Sequence, residues 1–477
     1  MANQADHHDD DPVVVVLVPL PMQGHLNQLL HLSRLLLSYN NIISSVHFVG
    51  TATHNRQAKL RVHGWDPTSF ADHIHFHDLS VPPFLSPLPN PNQPTTNFPC
   101  HLQPTFEATS HLRKPFAALI RQLSSKARRV VVIHDSLMAS VVQDVASIAD
   151  NAESYIFHSV SAFTIFLYFW DSMRKSEAAG INAGSINHIP YDEIPSLEGC
   201  FSHEFLDFIA SQYDYQKFKS GSVFNTSRVI EKPFMDLLDN IRLKKKNWAI
   251  GPFNPVPLMD KKVVTSERAR HKCLEWLDKQ PPRSVIYVSF GTTTALTNEQ
   301  IKQLAYGLEQ SKQKFIWVLR DADKGDVFDG EVRQVELPKG YEERVKSMGI
   351  VVRDWAPQLE ILGHPSTGGF MTHCGWNSCM ESITMGVPVA AWPMHSDQPR
   401  NTVLITKLLK IGIVVKEWAR RDEIVTACMV ASGLKKLMMS DEMRKRAADL
   451  GAAVRKSMAH GGASRLELDS FIAHITR

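Results

Sequence analysis

The sequence predicts an α/β protein made of two doubly wound parallel-sheet domains that face each other across a cleft. Short β-branched runs alternate with helical patterns through residues 1–250. A proline-rich and then charged stretch, residues 251–265, interrupts this alternation and is interpreted as a linker. The alternation then restarts, which predicts a second domain over residues 266–463. A chain of 477 residues is long enough for two or three domains.

The first half begins with Val13–Val18, a continuous apolar run typical of a strand buried on both faces of a parallel sheet. Leu26–Tyr39 follows with apolar residues near 3.6 spacing, which predicts a helix. The same patterns predict further strands at Val46–Val49, Ile74–His77, Val130–His134, Tyr155–Phe157 and Val223–Thr226. They predict further helices at Pro104–Ser125, Leu137–Ala149, Ala162–Met173 and Phe205–Phe218.

Two irregular stretches interrupt the first domain. Val81–Pro104 contains eight prolines and cannot form a regular helix or a central strand. A loop of this length is usually functional or disordered, so we interpret it as one wall of a binding site, with a plain surface excursion as the alternative. Gly180–Cys200 is predicted to border the same cleft. The apolar residues that would form the first wall are Phe84, Leu85, Leu88 and Phe98.

In the second half, strand Ser284–Phe290 and helix Asn298–Lys312 are predicted first. Thr297, with Gln300 three residues later, matches a capping box at the start of that helix. The remaining predicted strands are Phe315–Leu319, Ile350–Val352, Gly368–Thr372, Val387–Trp392 and Gly412–Val415. The remaining helices are Asn377–Met385, Glu423–Met438, Asp441–Met458 and Ser464–Ile475.

Composition excludes several classes of function. The net charge of +3 is small and there is no long basic run, so we expect no nucleic-acid partner. The acidic N-terminus lacks the features of a signal peptide, and the apolar run that follows is too short to span a bilayer, so a cytoplasmic protein without a membrane partner is expected. Six scattered cysteines support neither a disulfide framework nor a zinc site, and no HExxH or carboxylate cluster predicts a metal.

A candidate base lies in the turn after the first strand. His25 follows Pro19 and Gly24 at the start of a predicted helix, where a neutral imidazole could accept a proton from a hydroxyl. The helix N-terminus would disfavour the imidazolium and help keep the ring a base. Asp135 ends another buried strand and could fix the tautomer of His25. The alternatives are that His25 and Asp135 each cap a helix.

A candidate phosphate site lies between strand Gly368–Thr372 and helix Asn377–Met385. The first amides of a helix have no internal partner, and the helix dipole favours an anion beside them. The first turn of the chain lacks GxGxxG, and no GxxxxGK[ST] occurs, which disfavours a dehydrogenase and a P-loop enzyme. The residues predicted to hold phosphate are Gly291, Thr292, His373, Gly375, Asn377 and Ser378.

Four more residues suit a nucleotide and a sugar. Trp355 precedes a proline on a stiff loop, so its ring could stack on a nucleobase; the alternative is a core tryptophan. Glu381 lies one helical turn after the predicted phosphate site and suits a ribose diol, the alternative being a solvent-exposed acid. Asp397 and Gln398 offer acceptors and donors for sugar hydroxyls.

The stretch Trp355–Gln398 is 44 residues long and resembles, nearly end to end, the signature box of plant family-1 UDP-glycosyltransferases. The turn at His25, the strand end at Asp135 and the turn at Gly291 resemble the family as well. Several segments are similar to the subgroup that transfers glucose or xylose to cytokinins such as zeatin. They are GTATHNRQAKLRVHGWDP, HDSLMASVVQD, FHSVSAF and PMHSDQPRN.

The resemblance implies a GT-B fold, inversion at the anomeric carbon, UDP-glucose as co-substrate and no metal or other cofactor. It implies that His25 is the base, that Asp135 is its partner, and that residues 464–477 pack back onto the first domain. A closing Gln398 goes with glucose in this family. Met394-His395-Ser396 departs from the usual sequence before it, so xylose stays open. The donor residues implied are Thr292, Trp355, Ala356, Gln358, His373, Gly375, Trp376, Asn377, Ser378, Glu381, Asp397 and Gln398.

We therefore expect a monomeric O-glucosyltransferase that acts on a small, fairly apolar acceptor such as a cytokinin. Alternatives within the family are a UDP-xylose enzyme and a transferase for flavonoids or phenolics. A glycosidase or phosphorylase would need a carboxylate pair or a cofactor lysine that the motifs do not offer. A non-catalytic nucleotide-sugar sensor is the remaining alternative. The predicted acceptor residues are Met22, Gln23, Phe84, Met138, Phe201, Met394 and His395.

Overall fold

The computed structural model describes residues 12–92, 98–172, 189–241, 245–256, 270–329, 333 and 335–477. In these ranges the strands form two parallel sheets with helices on their faces, which confirms the predicted α/β class. The strands of the first sheet lie between residues 13 and 249, and those of the second lie between residues 285 and 414.

The first sheet has seven strands in the order β3-β2-β1-β4-β5-β6-β7, and every neighbouring pair is parallel. The strand order reverses between β1 and β4, and ligands of open α/β sheets bind at such a switch point. The strands are β1 Val13–Val18, β2 Ile43–Gly50, β3 Ile74–Asp78, β4 Arg129–Asp135, β5 Ala152–His158, β6 Gly221–Phe224 and β7 Lys246–Ala249.

The helices of the first half include two that the sequence pattern did not predict. Helix α2 is mostly polar and has no apolar stripe. Helix α9 contains Pro233, a residue type that usually indicates a helix end in a sequence, and the helix is kinked at Glu231. The predicted helices Pro104–Ser125 and Leu137–Ala149 are each broken into shorter helices. The helices are α1 Gln23–Leu37, α2 Ala52–Arg61, α3 Gln103–Ala108, α4 Arg113–Ser124, α5 Ala139–Val142, α6 Val145–Ile148, α7 Ala162–Ser172, α8 His203–Tyr213 and α9 Arg228–Ile241.

The second sheet has six parallel strands in the order β10-β9-β8-β11-β12-β13. They are β8 Val285–Ser289, β9 Lys314–Val318, β10 Gly349–Val352, β11 Thr367–Thr372, β12 Val389–Ala391 and β13 Gly412–Val414. The helices are α10 Lys272–Leu277, α11 Asn298–Ser311, α12 Tyr341–Val345, α13 Gln358–Gly363, α14 Trp376–Met385, α15 Gln398–Val403, α16 Ala427–Met439, α17 Asp441–Ser457 and α18 Ala463–Ile475.

Of the two hydrogen bonds expected for the predicted capping box at α11, one is present. The Thr297 hydroxyl accepts a hydrogen bond from the Gln300 amide at 3.1 Å, as an N-cap does. The Gln300 side chain does not return to Thr297. It forms a pair of hydrogen bonds with the backbone of Val425, at 2.9 and 3.0 Å, and so ties the start of α11 to the start of α16.

The last helix, α18, packs against the first sheet. Phe471 lies edge-on to Trp248 and Tyr155, with ring centroids 5.1 and 5.5 Å apart. These three side chains belong to the apolar core beneath β1 and its neighbours. Of the predicted linker, residues 251–256 are described and the remainder lies outside the described residues. Helices long and apolar enough for a membrane span do not occur in the described ranges.

Candidate active site

A cleft of about 640 Å³ is lined by residues that follow the strands of both sheets. Leu20 and Ser136 lie after β1 and β4, while Ser289, Gly291 and His373 lie at or after the ends of β8 and β11. Both sheets therefore present their carboxyl ends to one cavity, which is where α/β proteins bind ligands.

The register of β1 and β4 brings His25 and Asp135 together. Val18 pairs with His134, so the residues after the two strands start at the same level. His25 is the third residue of α1, whose N-cap is Met22, so the alternative of a capping histidine is wrong. Its Nδ1 lies 2.6 Å from Oδ2 of the fully buried Asp135. The other Asp135 oxygen accepts from the Leu137 amide at 3.0 Å, so Asp135 both caps a helical turn and contacts His25.

The electrostatics of His25 differ from our expectation. Burial lowers its pKa, but the charge and hydrogen bond of Asp135 and the charge of Asp397 outweigh burial, so the pKa is raised above its usual value. The net shift of the pKa is therefore opposite in direction to the one that we expected from the helix N-terminus. Because Nδ1–H donates to Asp135, Nε2 of the neutral ring is left as the proton acceptor.

The turn before α14 is shaped around the ring of His373. Ser289 pairs with Thr372, so the turns after β8 and β11 are neighbours. A Cβ at Gly375 would lie 2.5 Å from His373 Nε2, and one at Gly291, where φ is +80°, would lie 2.8 Å from it. Only glycine leaves room for the imidazole at both positions. Burial lowers the pKa of His373 to about 4, so the ring is neutral near pH 7.

Gly375 is the N-cap of α14, and Asn377 and Ser378 lie in the first turn of that helix. With Thr292 and His373, they all line the cleft. The first amides of α14 and four polar side chains thus meet beside the glycine turn. This arrangement suits an anion with several oxygens, such as a diphosphate.

Glu381 is buried, which contradicts the alternative of a solvent-exposed acid. Gln358 donates to it at 2.7 Å and to the Ser378 hydroxyl at 3.0 Å, and Asn377 donates at 3.3 Å. Burial raises the pKa of Glu381 to about 7, against the lowering by the Gln358 bond. A buried carboxylate on the cleft wall is a strong acceptor for a ligand hydroxyl.

Trp355 is half-buried and lines the cleft, which contradicts the alternative of a core tryptophan. Its indole N–H donates to the Nε2 of His63, a residue of the first half of the chain. The neighbouring Ala356 also lines the cleft. The Trp355 ring, which is predicted to stack on a nucleobase, therefore borders the cleft.

The end of the signature stretch is held by internal hydrogen bonds. The Gln398 side-chain oxygen accepts from the amides of Met394 and His395, at 2.9 and 3.1 Å, which leaves its NH₂ group beside the His395 ring. Asp397 accepts from Asn401 at 2.6 Å, and burial raises its pKa to about 6. Both Asp397 and Gln398 line the cleft.

Trp376 also lines the cleft, but its indole N–H donates to the Asn225 carbonyl at 2.9 Å. Asn225 follows β6 of the first sheet. The Trp376 indole is 2% exposed and packs with Phe224 in a core shared by both halves of the chain. The polar group of this side chain therefore joins the two domains.

The predicted acceptor residues divide into two groups. Met22, Gln23, Phe201 and His395 line the cleft. The remaining three predictions are wrong: Met138 and Met394 are buried in apolar cores, and Phe84 lines a separate cavity of about 20 Å³. Leu85 and Leu88 were predicted to form a wall of the site but are 84% and 60% exposed and do not line the cleft. Phe98, predicted for the same wall, does line it.

Sequence reasoning missed one face of the acceptor side. Phe205, Ile209 and Tyr213 of α8 line the cleft at a spacing of four residues. That spacing lay within a predicted helix and is the signal that could have identified them. Leu197, from the described part of the second irregular stretch, lines the cleft as predicted. Clusters of three or more metal-ligating side chains do not occur in the described part of the chain.

Comparison with known proteins identifies the family and the fold of the chain. A family model described as the N-terminal domain of a glycosyltransferase matches residues 11–255, and one for UDP-glucuronosyl and UDP-glucosyl transferases matches residues 205–448. A structure of a UGT transferase from Siraitia grosvenorii in complex with UDP superposes with a TM-score of 0.72, at 26% identity, covering 98% of this chain and 100% of that one. The architecture is therefore GT-B.

Two curated plant proteins match nearly end to end. A zeatin O-glucosyltransferase of Phaseolus lunatus is 58% identical, covering 98% of this chain and 97% of the relative. A zeatin O-xylosyltransferase of Phaseolus vulgaris is 54% identical, covering 98% and 99%. The chain belongs to the UDP-glycosyltransferase family and is an enzyme that takes a UDP-sugar as donor.

Proposed function

We propose that this enzyme transfers glucose from UDP-glucose, with inversion, to a hydroxyl of a cytokinin such as zeatin. The observation that carries the proposal is that His25, which is hydrogen-bonded to the buried Asp135, lies on one wall of a cleft whose other wall is the signature stretch. A base faces the place where an activated sugar would lie, as glycosyl transfer to a hydroxyl requires.

The donor assignment follows the polar groups along the cleft. Uracil stacks on Trp355, with the Ala356 backbone at its edge, and the ribose hydroxyls donate to Glu381 beside Gln358. The diphosphate lies at the start of α14, held by Thr292, His373, Asn377 and Ser378. The sugar lies against Asp397 and Gln398, next to Trp376.

The reaction follows from the tautomer of His25. Nε2 takes the proton of the acceptor hydroxyl while its oxygen forms a bond to the anomeric carbon. The bond between that carbon and the β-phosphate oxygen breaks, and UDP leaves with the electron pair. Negative charge on the phosphate is met by the α14 amides and the His373 and Ser378 side chains. Asp135 stabilises the imidazolium formed on His25.

The acceptor assignment rests on the lining and on the relatives. Phe98, Phe201 and Phe205 form a cluster of aromatic rings whose centroids are 4.4–5.9 Å apart. Such a wall suits a flat, fairly apolar ring system. Two relatives that match along nearly the whole chain are named for transfer to zeatin, whose purine is flat and whose side chain carries a hydroxyl.

The donor sugar has a specific second candidate. One of these relatives is named for xylose, and it is 54% identical. Gln398 supports glucose, because its NH₂ group has two N–H donors and only one is needed for the 3.3 Å contact with His395 Nε2, which leaves the other for an additional sugar hydroxyl. His395, which replaces a residue type more usual in the family, lies beside that group. We therefore propose glucose first and xylose second.

We further propose a cytoplasmic monomer. The six free cysteines suit a reducing compartment, and one chain supplies both walls of the cleft. The division into residues 1–250, a linker over 251–265 and residues 266–463 is supported by the separate strand ranges of the two sheets.

The test is product analysis with matched donors and acceptors. The purified enzyme is incubated with UDP-glucose, UDP-xylose or UDP-galactose and with zeatin or isopentenyladenine, which has the same purine but no side-chain hydroxyl. Mass spectrometry is expected to detect a zeatin hexoside and no isopentenyladenine product. NMR of the purified product is expected to show a β-glucoside, since the donor is α-linked.

His25→Ala is the control for enzymatic transfer, and it is expected to bind UDP but to form no product. Sugar on isopentenyladenine would contradict transfer to a hydroxyl, and faster use of UDP-xylose would contradict the choice of glucose. If no UDP is released with any member of a panel of hydroxylated cytokinins, flavonoids and phenolics, the result would favour a nucleotide-sugar sensor.

A further inference from the structure

The segment after α2 reaches from the first domain onto the donor domain. Arg61 is paired with Asp323, its Nη2 lying 3.2 Å from Oδ1. The Gly64 amide donates to Glu360 of α13 at 3.2 Å. Gly64 has φ of +79°, and a Cβ there would lie 3.0 Å from Pro255 and 3.2 Å from Leu359. A glycine at this position therefore permits a close approach to the donor domain.

His63 lies in the middle of this contact, beside Trp355. The two rings are within 11° of parallel with centroids 5.4 Å apart, and the Trp355 indole N–H donates to His63 Nε2. His63 must therefore carry its proton on Nδ1, which lies 4.0 Å from a Glu360 carboxylate oxygen. Burial and the charge of His271 lower the pKa of His63 to about 4, so the ring is neutral and can accept.

This hydrogen bond is not a general requirement of tryptophan packing in the domain. Trp317 and Trp392 are fully buried, and their indole N–H groups have no hydrogen-bond partner among the described residues. Trp355 is only half-buried, yet its N–H has a partner from the other half of the chain. The guanidinium of Arg61 lies 4.9 Å from the Trp355 ring centroid and also restrains the ring.

We propose that His63 is a positioning residue of the donor site: it fixes the Trp355 indole so that the ring presents one set face to the nucleobase. The inference rests on the proposed stacking of uracil on Trp355. Because His63 and Arg61 come from the first domain, uracil binds well only when the two domains are docked at this segment. Fixing the ring in advance removes the entropy loss that donor binding would otherwise incur.

The test is His63→Ala, with the Kd for UDP measured by calorimetry and with the kcat and KM for UDP-glucose. We expect the Kd and the KM to rise about fivefold to tenfold, the effect of losing one hydrogen bond to a neutral group, with kcat within about twofold of wild type. His63→Gln should restore most of the affinity, since its side-chain oxygen can accept from the indole.

The matched control is His101→Ala. His101 also crosses between the domains, with Nε2 2.8 Å from the Asp323 carbonyl oxygen. Among the described residues it makes no hydrogen bond or ring contact with Trp355, and it is not one of the residues that line the cleft. It should leave the Kd unchanged. An equal rise in His101→Ala, or a loss of kcat without a change in KM in His63→Ala, would overturn the proposal, because domain docking or folding would then explain the effect.

Trp355→Ala separates this inference from the proposed function. If it loses UDP affinity while His63→Ala does not, only the role of His63 is overturned. If Trp355→Ala binds UDP as tightly as wild type does, the placement of uracil is wrong and the role of His63 is overturned with it.

Discussion

Replacing Asp135 with asparagine tests the proposed mechanism most sharply. The Leu137 amide donates to Asp135 Oδ1 at 3.0 Å, and His25 Nδ1–H donates to Oδ2 at 2.6 Å. An asparagine must keep its oxygen on the Leu137 amide and therefore turns its NH₂ group towards His25. The imidazole must then accept at Nδ1 and carry its proton on Nε2, which is the wrong tautomer for a base.

The expected loss is large although the change is nearly isosteric. The same aspartate-to-asparagine change in a Ser-His-Asp triad lowers kcat about 10⁴-fold through the wrong tautomer. We expect about 10³ to 10⁴-fold here, equivalent to ~4 to 5.5 kcal/mol of transition-state stabilisation. UDP affinity should be unchanged, since Asp135 is fully buried and is not one of the residues that line the cleft.

The pH profile provides an independent measurement. The catalytic form of His25 is neutral, and Asp135 raises its pKa, so wild-type kcat/KM should rise with pH through a value above 6.5. Asp135→Asn removes the negative charge, so the acid limb of its residual activity should move to lower pH. The assay is the initial rate of UDP release with saturating UDP-glucose and with zeatin well below its KM, from pH 5 to 9, because this rate is proportional to kcat/KM for zeatin.

The control is Asp66→Asn, because Asp66 caps another 3-10 turn by accepting from the Thr68 amide at 2.9 Å. Asparagine is as good an N-cap as aspartate, so this variant should keep full activity. If Asp135→Asn retained more than a tenth of the wild-type kcat, Asp135 would be only a helix cap and the assignment of His25 would lose its support.

Two further predictions concern the donor side. The pKa of Glu381 is about 7, and ribose hydroxyls should donate to its ionised form, so UDP affinity measured by calorimetry should rise between pH 6 and pH 8. Part of this rise comes from the titration of UDP itself. Glu381→Gln should keep that part and lose the remainder. An identical pH dependence in both proteins would contradict the ribose assignment. Gly375→Ala should weaken UDP binding at least about tenfold, since its Cβ would collide with the His373 ring; unchanged affinity would mean that the ring has no role in holding the diphosphate.

Much of the fold could be predicted because its signals are local. The apolar run of β1 and the spacing of α11 identify buried strands and helices whatever surrounds them. Helix α2 and helix α9 were missed for the opposite reason: one has no apolar stripe and the other contains Pro233. What stabilises them is packing against distant parts of the chain, which a window of sequence does not contain.

The residues predicted for the donor side lie together along the cleft because they are close in the sequence. A strand, a glycine turn and a helix N-terminus within Trp355–Gln398 bring its polar groups together by local geometry alone. The residues on the acceptor side come from loops and helices that are distant in the sequence. Three residues predicted there do not line the cleft. Met138 and Met394 turn into apolar cores because burial of a thioether is favourable, and no local pattern tells a core methionine from a cleft methionine.

By itself, the sequence determined the two-domain α/β architecture, the location of the glycine turn that we propose binds phosphate, and the residue types available for acid–base chemistry. Only the tertiary structure decided that Asp135 binds His25 while capping a turn, that Glu381 is buried, and that His63 reaches Trp355 from the other domain. The physical reason is distance along the chain: strand and helix signals act over a few residues, whereas these contacts join residues 110 and 292 positions apart, as for His25 with Asp135 and His63 with Trp355.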